Sequence, residues 1–125
     1  MIEKKVLHID NIPQEDVLYF TIQEPNLLMS VAPKINAIIQ NYLKERNYKY
    51  IVIDLANVIR IDSAGYGIII GLIGHFPPAE MVNIFIINMS PMIKKIIDLI
   101  GFPLVMYILP TVEDAVAKIR ELKKI

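Results

Sequence analysis

Cysteine is absent from this chain, which removes disulfides, thiolate zinc sites and thiol nucleophiles together and fits a reducing compartment. Histidine is almost absent, so His8 and His75 are the only imidazole bases on offer. Net charge is absent as well: thirteen basic side chains balance thirteen acidic ones, and with a pI near 6.7 no global field draws in nucleic acid. Hydrophobic residues make up 54 % of the chain and mean hydropathy is +0.46, yet no long apolar run follows from this. The longest low-charge stretch, Ala64 to Phe76, is broken by glycines and closed by His75, Pro77 and Pro78, well short of the roughly 20 residues a membrane span needs. It reads as a core helix. Met1 to Lys5 leads into a strand-like pattern with no apolar signal region behind it. The expectation is a soluble, cytosolic protein without membrane association.

At 125 residues the chain is expected to be a single domain over 1–125, large enough to bury one core without staples. Val6–Ile9 and Val17–Ile22 read as an N-terminal strand pair with Pro13 in the turn. Val31, Ile35, Ile38, Ile39, Tyr42 and Leu43 recur at helical spacing to about Asn47, with Pro33 in the first turn. Tyr50–Leu55 and Val82–Ile87 are near-continuous apolar runs, typical of parallel strands covered on both faces. Between them, a helix opens near Ser63 and ends before Pro77-Pro78. Ser90 and Pro91 supply an N-cap and first-turn proline for a helix with Met92, Ile93, Ile96, Ile97 and Ile100 as its apolar face and Gly101 as its C-cap. Leu104–Leu109 reads as a last strand. Thr111 and Asp114 resemble a capping box for a final helix with Val112, Ala115, Val116, Ile119 and Leu122 inward. The order is β-β-α-β-α-β-α-β-α, an α/β fold with a mixed sheet of about five strands and four helices, largely parallel in its second part.

In such sheets, ligands and partners meet the loops beyond the carboxyl ends of the strands. Ser63 and Ser90 both follow strands there. Ser63 stands in the first turn of its helix, where unpaired backbone N–H groups carry partial positive charge and favour a phosphate. Asp62 before it reads first as an N-cap and second as a base or ligand in phosphoryl transfer. Four of the five glycines, at 65, 67, 71 and 74, lie in this helix. Each weakens it by about 1 kcal/mol against alanine, so they mark close packing on the sheet, an open surface beside Ser63, or both.

Enzyme chemistry has little to work with. A nucleophile elbow wants glycine where Ile61 stands. His75 lies about 18 Å along the helix from Ser63, beyond any triad geometry. Gly65, Gly67 and Gly71 do not make a dinucleotide fingerprint, and neither a phosphate loop nor metal-ligand spacing is present. No cofactor or metal is expected. Lys94-Lys95 and Lys118, Arg120, Lys123 and Lys124 read as solvated faces or favourable charges at a helix end.

Two stretches, Ile51-Val52-Ile53-Asp54-Leu55 through Asp62-Ser63-Ala64-Gly65-Tyr66-Gly67, and Asn88-Met89-Ser90-Pro91 through Gly101-Phe102, resemble the STAS domain family, in particular its stand-alone anti-sigma factor antagonists. The resemblance implies the STAS fold over nearly the whole chain, with Ser63 as the phosphorylated serine. It further implies partner switching: an anti-sigma factor with serine kinase activity binds the unmodified protein and is released once it has phosphorylated Ser63 with ATP, and a serine phosphatase completes the cycle. The implied contact surface comprises Asp62, Ala64, Gly65, Tyr66 and Gly67 with Asn26, Leu27, Leu28, Ser90 and Pro91. Three positions depart from the family pattern. Pro25-Asn26-Leu27-Leu28 stands where an acidic loop is usual, Ala64 where Ser or Thr is frequent, and Tyr66 where Leu is usual. A STAS module that binds a nucleotide or small anion at the Ser63 helix terminus is the alternative.

Overall fold

A computed structural model of the chain describes residues 1–76, 82–101 and 106–124, with the backbone alone for 73–75. The apolar runs form β2 (Val17–Ile22), β4 (Tyr50–Asp54) and β6 (Asn83–Ile87). These pair in parallel at the centre of a five-stranded sheet, with β7 (Met106–Leu109) parallel at one edge and β1 (Ile2–Lys5) antiparallel at the other. Every residue of β2 and β4 is buried, as expected of strands covered on both faces. The helices are α1 (Ala32–Glu45), α2 (Ser63–His75), α3 (Pro91–Ile100) and α4 (Val112–Lys123).

Strand alternation sorts the side chains into two cores. Leu18, Phe20, Ile51, Ile53, Ile84 and Ile86 point to the face covered by α1, α2 and α3. Tyr19, Val52, Phe85 and Ile87 point to the other face, under Ala115 and Ile119 of α4 and the turn residues Ile9 and Ile12. Helix ends follow the capping chemistry. The Ser90 hydroxyl accepts from Ile93 N at 3.2 Å, Gly101 closes α3 at φ 96°, and the Thr111 hydroxyl accepts from Asp114 N at 3.2 Å.

The first strand lies elsewhere than expected. Val6–Ile9 is not a strand: Ile9 instead bridges to Ile12 in a tight turn that tucks both under α4. The strand pairing with β2 is Ile2–Lys5, in register Ile2 to Ile22. Three of its four residues are exposed and charged, a composition that suits a sheet edge because it discourages pairing with further strands. Two further strands of two residues each, β3 (Asn26–Leu27) and β5 (Arg60–Ile61), pair in parallel outside the main sheet. Met92 and Ile100, expected on the buried face of α3, are 63 % and 60 % exposed, while Ile93 and Ile97 carry the packing. Leu104 and Val105 of the expected last strand lie outside the described residues.

Candidate functional site

At the carboxyl end of β4 the chain must leave a buried strand and turn toward α2, and Asp54 organises that exit. Its carboxylate is buried and accepts from Tyr19 Oη at 3.0 Å, Ala56 N at 2.9 Å and Asn88 Nδ2 at 3.1 Å. Burial, and then the bond to Asp54, push the Tyr19 phenol up to about 12, so Tyr19 remains a donor throughout the physiological range. Asn88 is held at φ 56° and donates its backbone N–H to Pro110 O at 3.1 Å. Asp54 and Asn88 thereby tie together the loops that follow β4, β6 and β7.

The chain then runs through β5 to Asp62 and Ser63. Asp62 is the N-cap expected of it: Oδ1 accepts from Gly65 N at 3.0 Å. Its other oxygen accepts from Met29 N at 2.9 Å, so one carboxylate clamps the start of α2 to the loop before α1. The bonds from Gly65 N and then Met29 N hold the Asp62 carboxyl below its ordinary value of 3.8. A carboxylate thus takes one of the N–H groups at the helix terminus, that of Gly65. Ser63, directly after it, is exposed.

The clamp has a testable acid signature. A carboxyl whose folded value is lowered contributes stability above its unfolded value, and the contribution disappears as pH falls through the lowered one. Asp62→Asn can still cap but carries no charge. Thermal melts should therefore separate wild type from Asp62→Asn above pH 3.8 and converge below it. Parallel melting curves through that window would refute the clamp.

The loop before α1 is fastened to the same place. Pro25 O accepts from Ile59 N at 2.7 Å and Arg60 N at 3.0 Å, and the β3–β5 pair sets Asn26 beside Arg60 and Leu27 beside Ile61. Asn26 is exposed and Leu28 half-buried beside this segment. Leu27, expected on the contact surface, is fully buried in the core beneath α1 and α2. Its side chain is an anchor and not a contact. Gly65 is also buried, directly against the Leu27 carbonyl.

Tyr66 is half-buried and turns its hydroxyl to donate to Gly101 O, tethering α2 to the end of α3. Ala64 is half-buried and Gly67 exposed. Close packing does not account for Gly67 or Gly71, since a methyl at either would meet nothing within 4 Å. They open a groove of about 400 Å³ between α1 and α2, lined by Met29, Asn36, Gln40 and Ala64 among others. Ser90 and Pro91 are placed by α3 and, through Asn88, by Asp54, and the bonds that fix them do not lead to Ser63. Sequence patterning missed Met29 and Ile59, which are 65 % and 59 % exposed, Met29 with its amide on Asp62 and Ile59 with its amide on Pro25 O. Neither sits in a periodic pattern that would flag it.

The family model described as STAS domain matches residues 8–115. The chain belongs to the STAS domain family. An anti-sigma factor antagonist from Mycobacterium paratuberculosis is similar in structure, with TM-score 0.74 and 20 % identity over 96 % of this chain and 95 % of that one. The Bacillus cell fate determinant SpoIIAA in its phosphorylated form aligns with TM-score 0.62 and 16 % identity, covering 95 % and 99 % of the two chains. The murine Solute Carrier 26 family member A9 anion transporter aligns with TM-score 0.76 and 14 % identity over 96 % of this chain but 22 % of its own. No curated relative matches in sequence. At these identities the likeness is one of fold, and this fold occurs both over nearly the whole of a chain and as a part of a larger one. Among the described residues no helix is long and apolar enough to cross a membrane, and no group of three His, Asp or Glu side chains is placed to hold a metal.

Proposed function

We propose that this STAS domain is an anti-sigma factor antagonist, a regulatory binding protein and not an enzyme, whose partner is an anti-sigma factor with serine kinase activity. Unmodified Ser63 permits binding and phosphorylated Ser63 ends it; a serine phosphatase resets the cycle, in the cytoplasm. The observation that carries the reading is the setting of Ser63. Ser63 is exposed on a helix start that Asp62 holds in place, beside a loop fastened by backbone pairing that carries the exposed apolar residue Met29. Exposed large apolar side chains around a polar centre suit a protein interface. The anion-binding alternative is disfavoured by the Asp62 carboxylate, which takes one of the amides an anion would use and repels it.

Incubation with the kinase and ATP, followed by mass spectrometry, tests the proposal. One phosphate is expected, on the peptide containing Ser63, and Ser63→Ala should take up none. Equal labelling of Ser63→Ala would refute the assignment.

A further inference from the structure

Helix α3 carries more apolar surface than its own domain uses. Ile93 and Ile97 are buried, but Met92 is 63 % exposed and Leu99 83 % exposed. At 100° per residue, Met92, Ile96 and Leu99 form one stripe, eight residues from end to end. Lys95 and then Asp98 border the stripe on its solvent side, both exposed. The buried residues lie on its other side, so the domain body is directed away from the stripe.

This pattern is complementary to itself. In an antiparallel pair of α3 helices related by a two-fold axis near residues 95 and 96, Met92 of one copy stands opposite Leu99 of the other. The solvent-side borders of the two helices then face each other. Lys95 lies two residues along the axis from the second copy's Asp98, an offset of about 3 Å, within reach of a lysine side chain. The same contact recurs across the axis, giving two apolar pairs and two ion pairs. The ion pair Asp98 makes within its own helix, with Lys94 at 3.3 Å, is exposed on both sides and so offers little resistance to exchange.

We propose that the α3 face is a docking surface for a second copy of this chain, forming an antiparallel two-fold dimer. One helix pair buries less than the roughly 1,200–2,000 Å² of a standard stable interface, so the dimer is a weak one that dissociates on dilution. It makes no use of Ser63, and its test is independent of phosphorylation.

Sedimentation equilibrium on the full chain, from low micromolar to near-millimolar concentration, decides the matter. The mass should rise from 14.3 kDa toward twice that value. Lys95→Asp and Asp98→Lys each place like charges across the axis and should each weaken self-association by about tenfold. Mixed in equal amounts, the two variants carry opposite borders and should associate at least as well as wild type. Both positions are exposed, and matching thermal melts will verify that each variant is folded. A wild type that stays at 14.3 kDa throughout, or charge variants that dimerise alone as well as wild type, would overturn the proposal. So would an equimolar mixture that associates no better than either variant alone.

Discussion

Gly65→Ala is expected to destabilise the domain by about 3 kcal/mol, the upper end of the usual cost of overpacking, although it adds a single methyl group at a helical position. A Cβ at residue 65 would lie 2.1 Å from the Leu27 carbonyl oxygen, 2.9 Å from Ile61 Cγ1 and 3.0 Å from Leu27 Cγ. The nearest of these is backbone, and it cannot swing aside. Leu27 is held by its pairing with Ile61 and by its own burial, so α2 must lift away or the β3–β5 pair must break. The neighbouring glycines supply the control. Gly67→Ala and Gly71→Ala put their methyl into open space, where only helix propensity counts, and each should stabilise by about 1 kcal/mol. Urea titrations at unchanged slope would read all three. If Gly65→Ala were as stable as Gly67→Ala, the close approach would be disproved.

A second large effect is expected at Ser63, and it concerns affinity. Under the proposed partner switching, Ser63→Glu should weaken binding of the anti-sigma kinase by about 10- to 1000-fold, corresponding to a few kcal/mol for an unpaired charge desolvated in an interface. Ser63→Ala should bind nearly as well as wild type, because the interface loses only an exposed hydroxyl. The neighbouring Asp62 carboxylate sharpens the difference: it already accepts from Gly65 N and Met29 N, so an added negative charge at Ser63 meets a like charge and one fewer free donor at the helix terminus. Genuinely phosphorylated protein, with about −1.5 to −2 added charges, should bind more weakly still than Ser63→Glu. Equal affinity of wild type, Ser63→Ala and Ser63→Glu in a calorimetric titration would remove electrostatics as the switch.

The parts of this fold that could be read from sequence are those in which local chemistry and tertiary context agree. Tyr50–Asp54 is apolar because both its faces are covered, and Ser90, Gly101 and Thr111 stand where helix ends demand their side chains or their freedom. β1 escapes the sequence pattern because an edge strand buries little, and Glu3, Lys4 and Lys5 leave no alternation to detect. The β3–β5 pair is invisible for a different reason. Two residues have no period, and the pairing of Leu27 with Ile61 joins segments far apart in the chain. At the site, the exposed Ser63 and its Asp62 cap followed from the helix start, while the second Asp62 bond, to Met29 N, is a tertiary contact with no local trace. The apolar face of α3 shows the limit of periodicity: six of its ten residues are hydrophobic, more than one face can bury, and the pattern alone does not separate Ile93 from Met92.

Leu27 also bears on the entropy of the proposed association. Where a loop becomes ordered only on binding, binding bears the cost of fixing each mobile residue. Here the buried leucine side chain, its carbonyl against Gly65 and the neighbouring Met29 amide on Asp62 fix the segment beforehand. Under the proposed partner switching, a partner therefore meets a preformed surface and docks with little rearrangement. Association should be fast and insensitive to loop dynamics, and discrimination among partners should rest on shape and charge at the rim, which Asn26, Leu28 and Met29 can change without disturbing the anchor beneath them.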